Sequence, residues 1–239
     1  MRGKILISLL CFSLCPMLLQ AGIQASPGQS QQQSQLRSPG QSQQQDSIGN
    51  KKLKLTGGPI LETNISGFVH SRISEGESQM KIGTTLGGFL NLGMAKSFSA
   101  QGELLFHHKT SDFAWGGHLG NYRYWGAEIA IYAMYHIHFA KGRQMNIAVG
   151  PYTEFGFKAD YKQEGQKADL YEKNEETNLP IMHDTNSGFG IKLGYEFVSG
   201  LQINVGYKIS VSNLLDENIG SARLYPHTFH VGLAYRFGK

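Results

Sequence analysis

The sequence predicts an all-β fold, an up-and-down antiparallel barrel of eight strands. Three observations lead there. Apolar and polar residues alternate with a period of two along most of the chain after residue 60. Glycine (30 residues), Phe (13) and Tyr (11) are abundant, while charged residues make up only 17% of the 239, below the ~25% of average soluble domains. Short turns alternate with long loops between the periodic segments. A chain of this length buries a core without staples, and 40% hydrophobic residues exclude wholesale disorder. Outside the first 25 residues no apolar run approaches the ~18 needed for a membrane helix. The net charge of +4 is small and unclustered, which argues for no nucleic-acid partner.

Residues 1–25 read as a secretory signal peptide. Arg2 and Lys4 form a positive start, Ile5 to Leu19 an apolar stretch, and Ala21 and Ala25 offer cleavage sites. Cys11 and Cys15 both lie inside it, so the mature chain is expected to lack cysteine. That excludes thiol catalysis, disulfides and zinc–thiolate sites. Removing Arg2 and Lys4 lowers the net charge from +4 to +2. Residues 26–59 read as a disordered Gln/Ser-rich periplasmic segment. Ser26 to Gln33 (SPGQSQQQ) recurs letter for letter at Ser38 to Gln45, and such residues bury no apolar area. Asp46-Ser47-Ile48 matches a three-residue O-glycosylation acceptor used by Bacteroidetes, a pattern short enough to arise by chance.

The barrel domain is expected over 60–239. Its strands are Leu61 to Arg72, Ile82 to Leu92, Phe98 to Lys109, Trp125 to Ile137, Met145 to about Asp160, Phe189 to Phe197, Leu201 to Ser212 and Phe229 to Phe237. Leu201 to Ser212 is the cleanest: six apolar residues alternate with six polar or glycine ones. Chance gives that pattern in roughly two of ten thousand windows. Short links fall at Ala95 to Ser97, Ala140 to Arg143 and Ser199-Gly200. Long ones fall at Ser74 to Gln79, Thr110 to Asn121, Tyr161 to Asn186 and Leu214 to Leu224. Short turns on one rim and long loops on the other mark an outer-membrane barrel.

Alternation alone does not say which face is outside. The polar face carries Glu103, Lys109, Glu128, Glu154, Lys192, Glu196, Lys208 and Arg236, with many glycines. Eight strands leave an interior just wide enough for side chains, and charges of both signs can pair there. The apolar face is rich in Phe, Tyr, Trp and Ile, as a lipid-facing belt requires. The reading is therefore an eight-stranded antiparallel up-and-down transmembrane β-barrel in the outer membrane. A soluble lipocalin-like barrel would want a Gly-x-Trp element near its first strand, which is lacking.

Four stretches carry a family resemblance: Gln101 to Phe106 (QGELLF), Trp125 to Phe139 (WGAEIAIYAMYHIHF), Val149-Gly150-Pro151-Tyr152 and Val231 to Phe237 (VGLAYRF). They resemble the Bacteroidetes PorT-like outer-membrane β-barrel family, also described as porin-family or OmpA-like. The resemblance implies the eight-stranded fold and the outer membrane, and no one shared activity. The founding PorT protein is associated with type IX protein secretion. Val231 to Phe237 also resembles the C-terminal signal read by the barrel assembly machinery, although Gly238 and Lys239 follow the aromatic residue.

The expected site residues are architectural. Glu103, Glu128, Lys208 and Arg236, with His136 and His138, are expected in a polar lumen network. Trp125, Tyr135, Tyr207 and Phe237 are expected to face lipid. The expected set contains no catalytic residue, metal ligand or cofactor. His136 and His138 share a strand face, but a metal site wants a third converging ligand. The loop at 161–186 is the candidate contact for a protein partner. Its neighbourhood, Asp160 to Asp184, holds seven acidic residues and three lysines. The protein is expected to be a monomer. The alternative of another class is an outer-membrane lipid-modifying enzyme using serine and histidine. A direct check of the barrel is gel mobility: unheated protein should run faster than boiled protein, and equal mobility would contradict the fold.

Overall fold

The computed structural model describes residues 53–73, 75–115, 118–173, 180–216 and 220–238. The signal peptide (1–25), most of the Gln/Ser segment and Ser47 lie outside them. Nine strands follow in order: β1 (Lys54–Ser71), β2 (Glu77–Ala95), β3 (Phe98–Trp115), β4 (His118–His138), β5 (Gln144–Gln163), β6 (Gln166–Asp169), β7 (Thr185–Glu196), β8 (Leu201–Ser210) and β9 (Arg223–Tyr235). Each pairs antiparallel with its neighbours. β1 pairs with both β2 and β9, and β4 with β5, so eight strands close a ring. β6 stands outside the ring as a four-residue hairpin on β5. Closure leaves the ring without an edge, so every strand backbone finds a partner on both sides, as lipid demands.

The turns on one rim are short. Gly200 illustrates their chemistry: its φ of 90° lies in the left-handed region, which glycine adopts without a Cβ penalty. Its N–H closes the β7–β8 turn onto the Phe197 carbonyl at 3.0 Å. Both chain ends of the ring, Lys54 and Tyr235, lie on this rim.

Burial follows the period of two. Inward residues such as Glu62, Gln101, Glu128, Lys192 and His230 are 0–4% exposed, while outward Leu86, Leu104, Ile131, Val149 and Phe189 are 50–61% exposed. The polar face is therefore the inside. Outward aromatics form two bands. Trp125 and Tyr135 lie ten residues apart on β4, ~33 Å along a strand and ~24 Å in height at a ~45° tilt. That matches the ~25 Å apolar band of an outer-membrane barrel. Phe155 stands outward near Trp125, and Phe98 packs on Tyr135 with ring centroids 5.0 Å apart.

Three boundaries differ from the sequence reading. β1 begins at Lys54, so residues 54–59, assigned to the tether, belong to the sheet. Gly57, Gly58 and Pro59 look like turn letters, but they pair with Leu90, Phe89 and Gly88 of β2. The expected long loop Thr110 to Asn121 is instead a tight link, because β3 runs to Trp115 and β4 starts at His118. Residues 161–186 are part strand: β5 reaches Gln163 and turns into β6. The reason for the last two is shared. Near the long-loop rim the pattern inverts, with Phe113, Tyr122, Tyr124 and Ala159 buried inside and Asp112, Arg123 and Lys158 pointing out. An inverted strand no longer matches the polar-inside template.

Candidate functional site

The lumen is built from repeated units of three side chains. Each has a cation, a carboxylate and an aromatic ring drawn from different strands. Lys192 Nζ donates to both carboxylate oxygens of Glu103 at 2.9 Å, and its ammonium lies 5.4 Å from the Tyr132 ring centroid. Lys208 Nζ donates to Glu128 at 2.5 Å and lies 5.8 Å from Tyr152. Lys109 donates to Glu154 and lies 5.7 Å from Tyr124. Arg236 Nε is 3.0 Å from Glu196, with its guanidinium 5.9 Å from Phe89. A cation over a ring is attracted by the ring quadrupole, so each cation is met by a carboxylate on one side and a ring on another, although Arg236 Nε and one terminal nitrogen make no hydrogen bond among the described residues.

Room for these long side chains comes from inward glycines. A Cβ on Gly206 would fall 2.4 Å from His230 Nε2, and one on Gly232 2.4 Å from Glu62 Cγ.

Around the units runs a hydrogen-bond chain. Glu62 shares Lys192 with Glu103, at 3.4 Å. His107 sits between Thr85 Oγ1 (2.8 Å) and Glu128 Oε2 (3.0 Å), and a carboxylate only accepts, so Nε2–H donates. Asn64 Nδ2 donates to Thr85 Oγ1 at 3.0 Å. Among the described residues, both ring nitrogens of His230 (2% exposed), the Tyr132 hydroxyl, Thr56 Oγ1 and Asn146 Nδ2 are buried without a hydrogen-bond partner.

Toward the short-turn rim, Ser99, His136 and Asn146 line up. Ser99 Oγ donates to His136 Nε2 at 2.7 Å, and Nδ1–H donates to Asn146 Oδ1 at 2.6 Å. This has the order of a nucleophile, base and orienter. However, Asn91 Nδ2 donates to the same Ser99 oxygen at 2.8 Å, and all three residues are at most 6% exposed.

At the long-loop rim the lumen changes character. Leu170 and Met182 from the β5–β7 connection, and Leu214 and Leu215 from the β8–β9 connection, fold inward onto Phe68, Phe113, Tyr122 and Tyr124. Phe68 meets Phe113 and Tyr122 edge-on at 5.7 and 5.0 Å. Backbone bonds hold the plug: Met182 N–H to the Leu170 carbonyl at 3.0 Å and His183 N–H to Leu214 at 2.8 Å. A narrow cleft, lined in part by Lys109, Glu154, Tyr171 and Asn186, lies beneath.

The sequence-predicted residues fall as follows. Glu103, Glu128, Lys208 and Arg236 are buried, but only Glu128 and Lys208 pair with each other; Glu103 and Arg236 pair with Lys192 and Glu196. His136 is buried, whereas His138 is exposed at the rim, its Nε2 2.6 Å from the Lys96 carbonyl. His138 is thus corrected out of the network: it lies beyond the last inward layer of β4. Trp125, Tyr135, Tyr207 and Phe237 all point outward, 38–59% exposed. Glu62 was missed because its strand alternates poorly in sequence. The apolar plug was missed because loop leucines carry no periodic signal.

One group in this lumen has the composition of a metal site. His107, Glu128 and Glu154 place ligand atoms within 4.8 Å of one another. Lys208 and Lys109 already hold those two carboxylates, so an ion would have to displace both ammonium groups.

The fold and site define a closed transmembrane barrel with an ionic core and an apolar cap. A family model described as the outer membrane protein beta-barrel domain matches residues 20–237, and the chain belongs to that family. Its location is the outer membrane. Among solved structures it is similar to the outer membrane protein OprG from Pseudomonas aeruginosa, at 10% identity and a TM-score of 0.46, over 77% of this chain and 96% of that one. It is similar to Ail, the attachment invasion locus protein of Yersinia pestis, at 12% and 0.44, over 77% and 99%. Neisserial surface protein A gives 8% and 0.43, over 75% and 96%. No curated protein matches the chain.

Two substitutions separate the parts of this core. Lys192→Met leaves Glu62 and Glu103 buried without their cation and should cost about 3–5 kcal/mol. Tyr132→Phe removes a hydroxyl that has no partner and should change stability by no more than ~0.5 kcal/mol. Urea titration of the folded, fast-migrating band reads both.

Proposed function

We propose that this protein is a closed, non-enzymatic barrel whose role is exercised through its long-loop rim, in contact with a protein partner. The observation that carries the reading is the lumen. Four buried cation–carboxylate pairs fill it, and the apolar cluster under the loops covers one end. A filled, capped lumen offers solutes no path and leaves the rim as the surface with freedom to vary. The resemblance to PorT-like proteins in Gln101 to Phe106, Val149 to Tyr152 and Val231 to Phe237 suggests support of type IX secretion. The partner would engage the acidic connection at 161–186. Trp125, Tyr135, Tyr207 and Phe237 face the lipid, and the barrel works as a monomer. The C-terminal segment Val231 to Phe237 serves the barrel assembly machinery during insertion.

A second reading rests on one observation, the Ser99–His136–Asn146 chain. It favours a hydrolase acting at the short-turn rim. Covalent labelling of Ser99 by a fluorophosphonate would support it; the closed-barrel reading expects none.

Two measurements test the main reading. In planar bilayers the protein should give no conductance steps at the nanosiemens scale, and such steps would contradict the filled lumen. Deleting the gene from its host should leave type IX cargo in the periplasm. Normal secretion would overturn the secretory role.

A further inference from the structure

Outward-facing cations gather at one part of the long-loop rim. Arg123 lies on β4 two residues beyond Trp125, between the inward Tyr122 and Tyr124. Across the sheet, Trp125 faces Lys158, Arg123 faces Asp160 and Asn121 faces Lys162 on β5. Lys167 on β6 faces Lys162, and Lys81 stands at the bulge of β2. All five cations are exposed.

Their neutralisation is incomplete. Lys81 pairs with Asp112 at 2.6 Å. Lys158 and Lys167 share Asp160 at 3.9 and 3.2 Å. Arg123 and Lys162 have no ion-pair partner among the described residues. At headgroup level four cations, Lys81, Arg123, Lys158 and Lys162, thus stand against Asp112 and Asp160, while the hairpin end above adds Lys167 together with Glu164 and Asp169. On the other side of the ring, the outward residues Thr185, Ser187 and Ile209 carry no charge, and the exposed charges near them are single ones, Asp184 and Arg223.

Height selects the ligand. Trp125 marks the upper aromatic band, and Arg123 and Lys162 lie just beyond it, at the level of lipid headgroups. A soluble polyanion would approach past the exposed carboxylates of the β5–β6 hairpin, Glu164 and Asp169. A lipid arrives sideways, in the plane of the membrane, where the cations outnumber Asp112 and Asp160. A guanidinium takes phosphate bidentately and lysines add point charges. The long-loop rim of an outer-membrane barrel faces outward, into the leaflet built from phosphorylated glycolipid. We propose that Arg123, Lys158, Lys162 and Lys81 form a binding face for the phosphates of that glycolipid, fixing one wall of the barrel to the outer leaflet.

Native mass spectrometry of the purified full chain in nonionic detergent tests this with diphosphoryl lipid A as the probe. Wild-type protein should retain it more tightly than its dephosphorylated form, and more tightly than phosphatidylglycerol. Arg123→Gln with Lys158→Gln should weaken retention about fivefold per cation removed. Lys96→Gln with Lys141→Gln, on the opposite rim, should leave it unchanged. Equal retention of the phosphorylated and dephosphorylated forms would overturn the proposal, as would an unaltered double variant. Phosphatidylglycerol bound as tightly as lipid A would overturn the glycolipid assignment. The comparison of lipids on wild-type protein stands even if the double variant fails to fold.

Discussion

A carboxylate inside an eight-stranded lumen is out of water and has few directions to turn. Its charge is tolerable only beside a cation with matching hydrogen bonds, since an unpaired ion costs several kcal/mol. Among the described residues five glutamates are buried in this lumen: Glu62, Glu103, Glu128, Glu154 and Glu196. They are answered by Lys109, Lys192, Lys208 and Arg236, each also backed by an aromatic ring. These partners come from strands distant in sequence: Lys192 and Glu103 are 89 residues apart, Lys208 and Glu128 80. The pairs therefore form only when the ring is closed and in register. A one-residue slip of any strand would turn that strand's charges toward lipid.

From this constraint the rest of the barrel can be followed along its axis. In the middle the outside must suit lipid and the inside must suit charge, so the pattern reads apolar-out and polar-in. Beyond Trp125 the surroundings become polar and the demand reverses. Arg123, Lys158 and Asp112 turn out, while Phe113, Tyr122 and Tyr124 turn in and receive the loop side chains Leu170, Met182 and Leu214. The same boundary that ends the lipid belt thus creates both the apolar cap and the basic strip outside it. An ionic core sealed at one end favours a role at the rims over transport through the middle.

The fold was legible because period-two alternation is a local property. Leu201 to Ser212 announces a strand without knowledge of its neighbours, and the alternation of turn lengths supplies the topology. The boundaries were legible only where the template held. Phe113, Tyr122 and Tyr124 obey the period with reversed polarity, so the rim strands read as loop. Gly57 to Pro59 read as tether because their partners on β2 are not visible in sequence. For the core, alternation placed Glu103, Glu128, Lys208 and Arg236 on one face, but pairing depends on register and strand tilt. That is why Lys192, and not Lys208, takes Glu103, and why His138 falls one step outside the network.

The central claim is that cross-lumen ion pairs couple distant strands and hold the closed ring. A double-mutant cycle on Glu128 and Lys208, read by urea titration of the folded band, tests it most directly. The account predicts that Lys208→Met and Glu128→Gln each destabilise strongly, and that the double variant loses at least ~1.5 kcal/mol less than their sum. Losses that add within ~0.5 kcal/mol would contradict it, since the two side chains would then contribute independently.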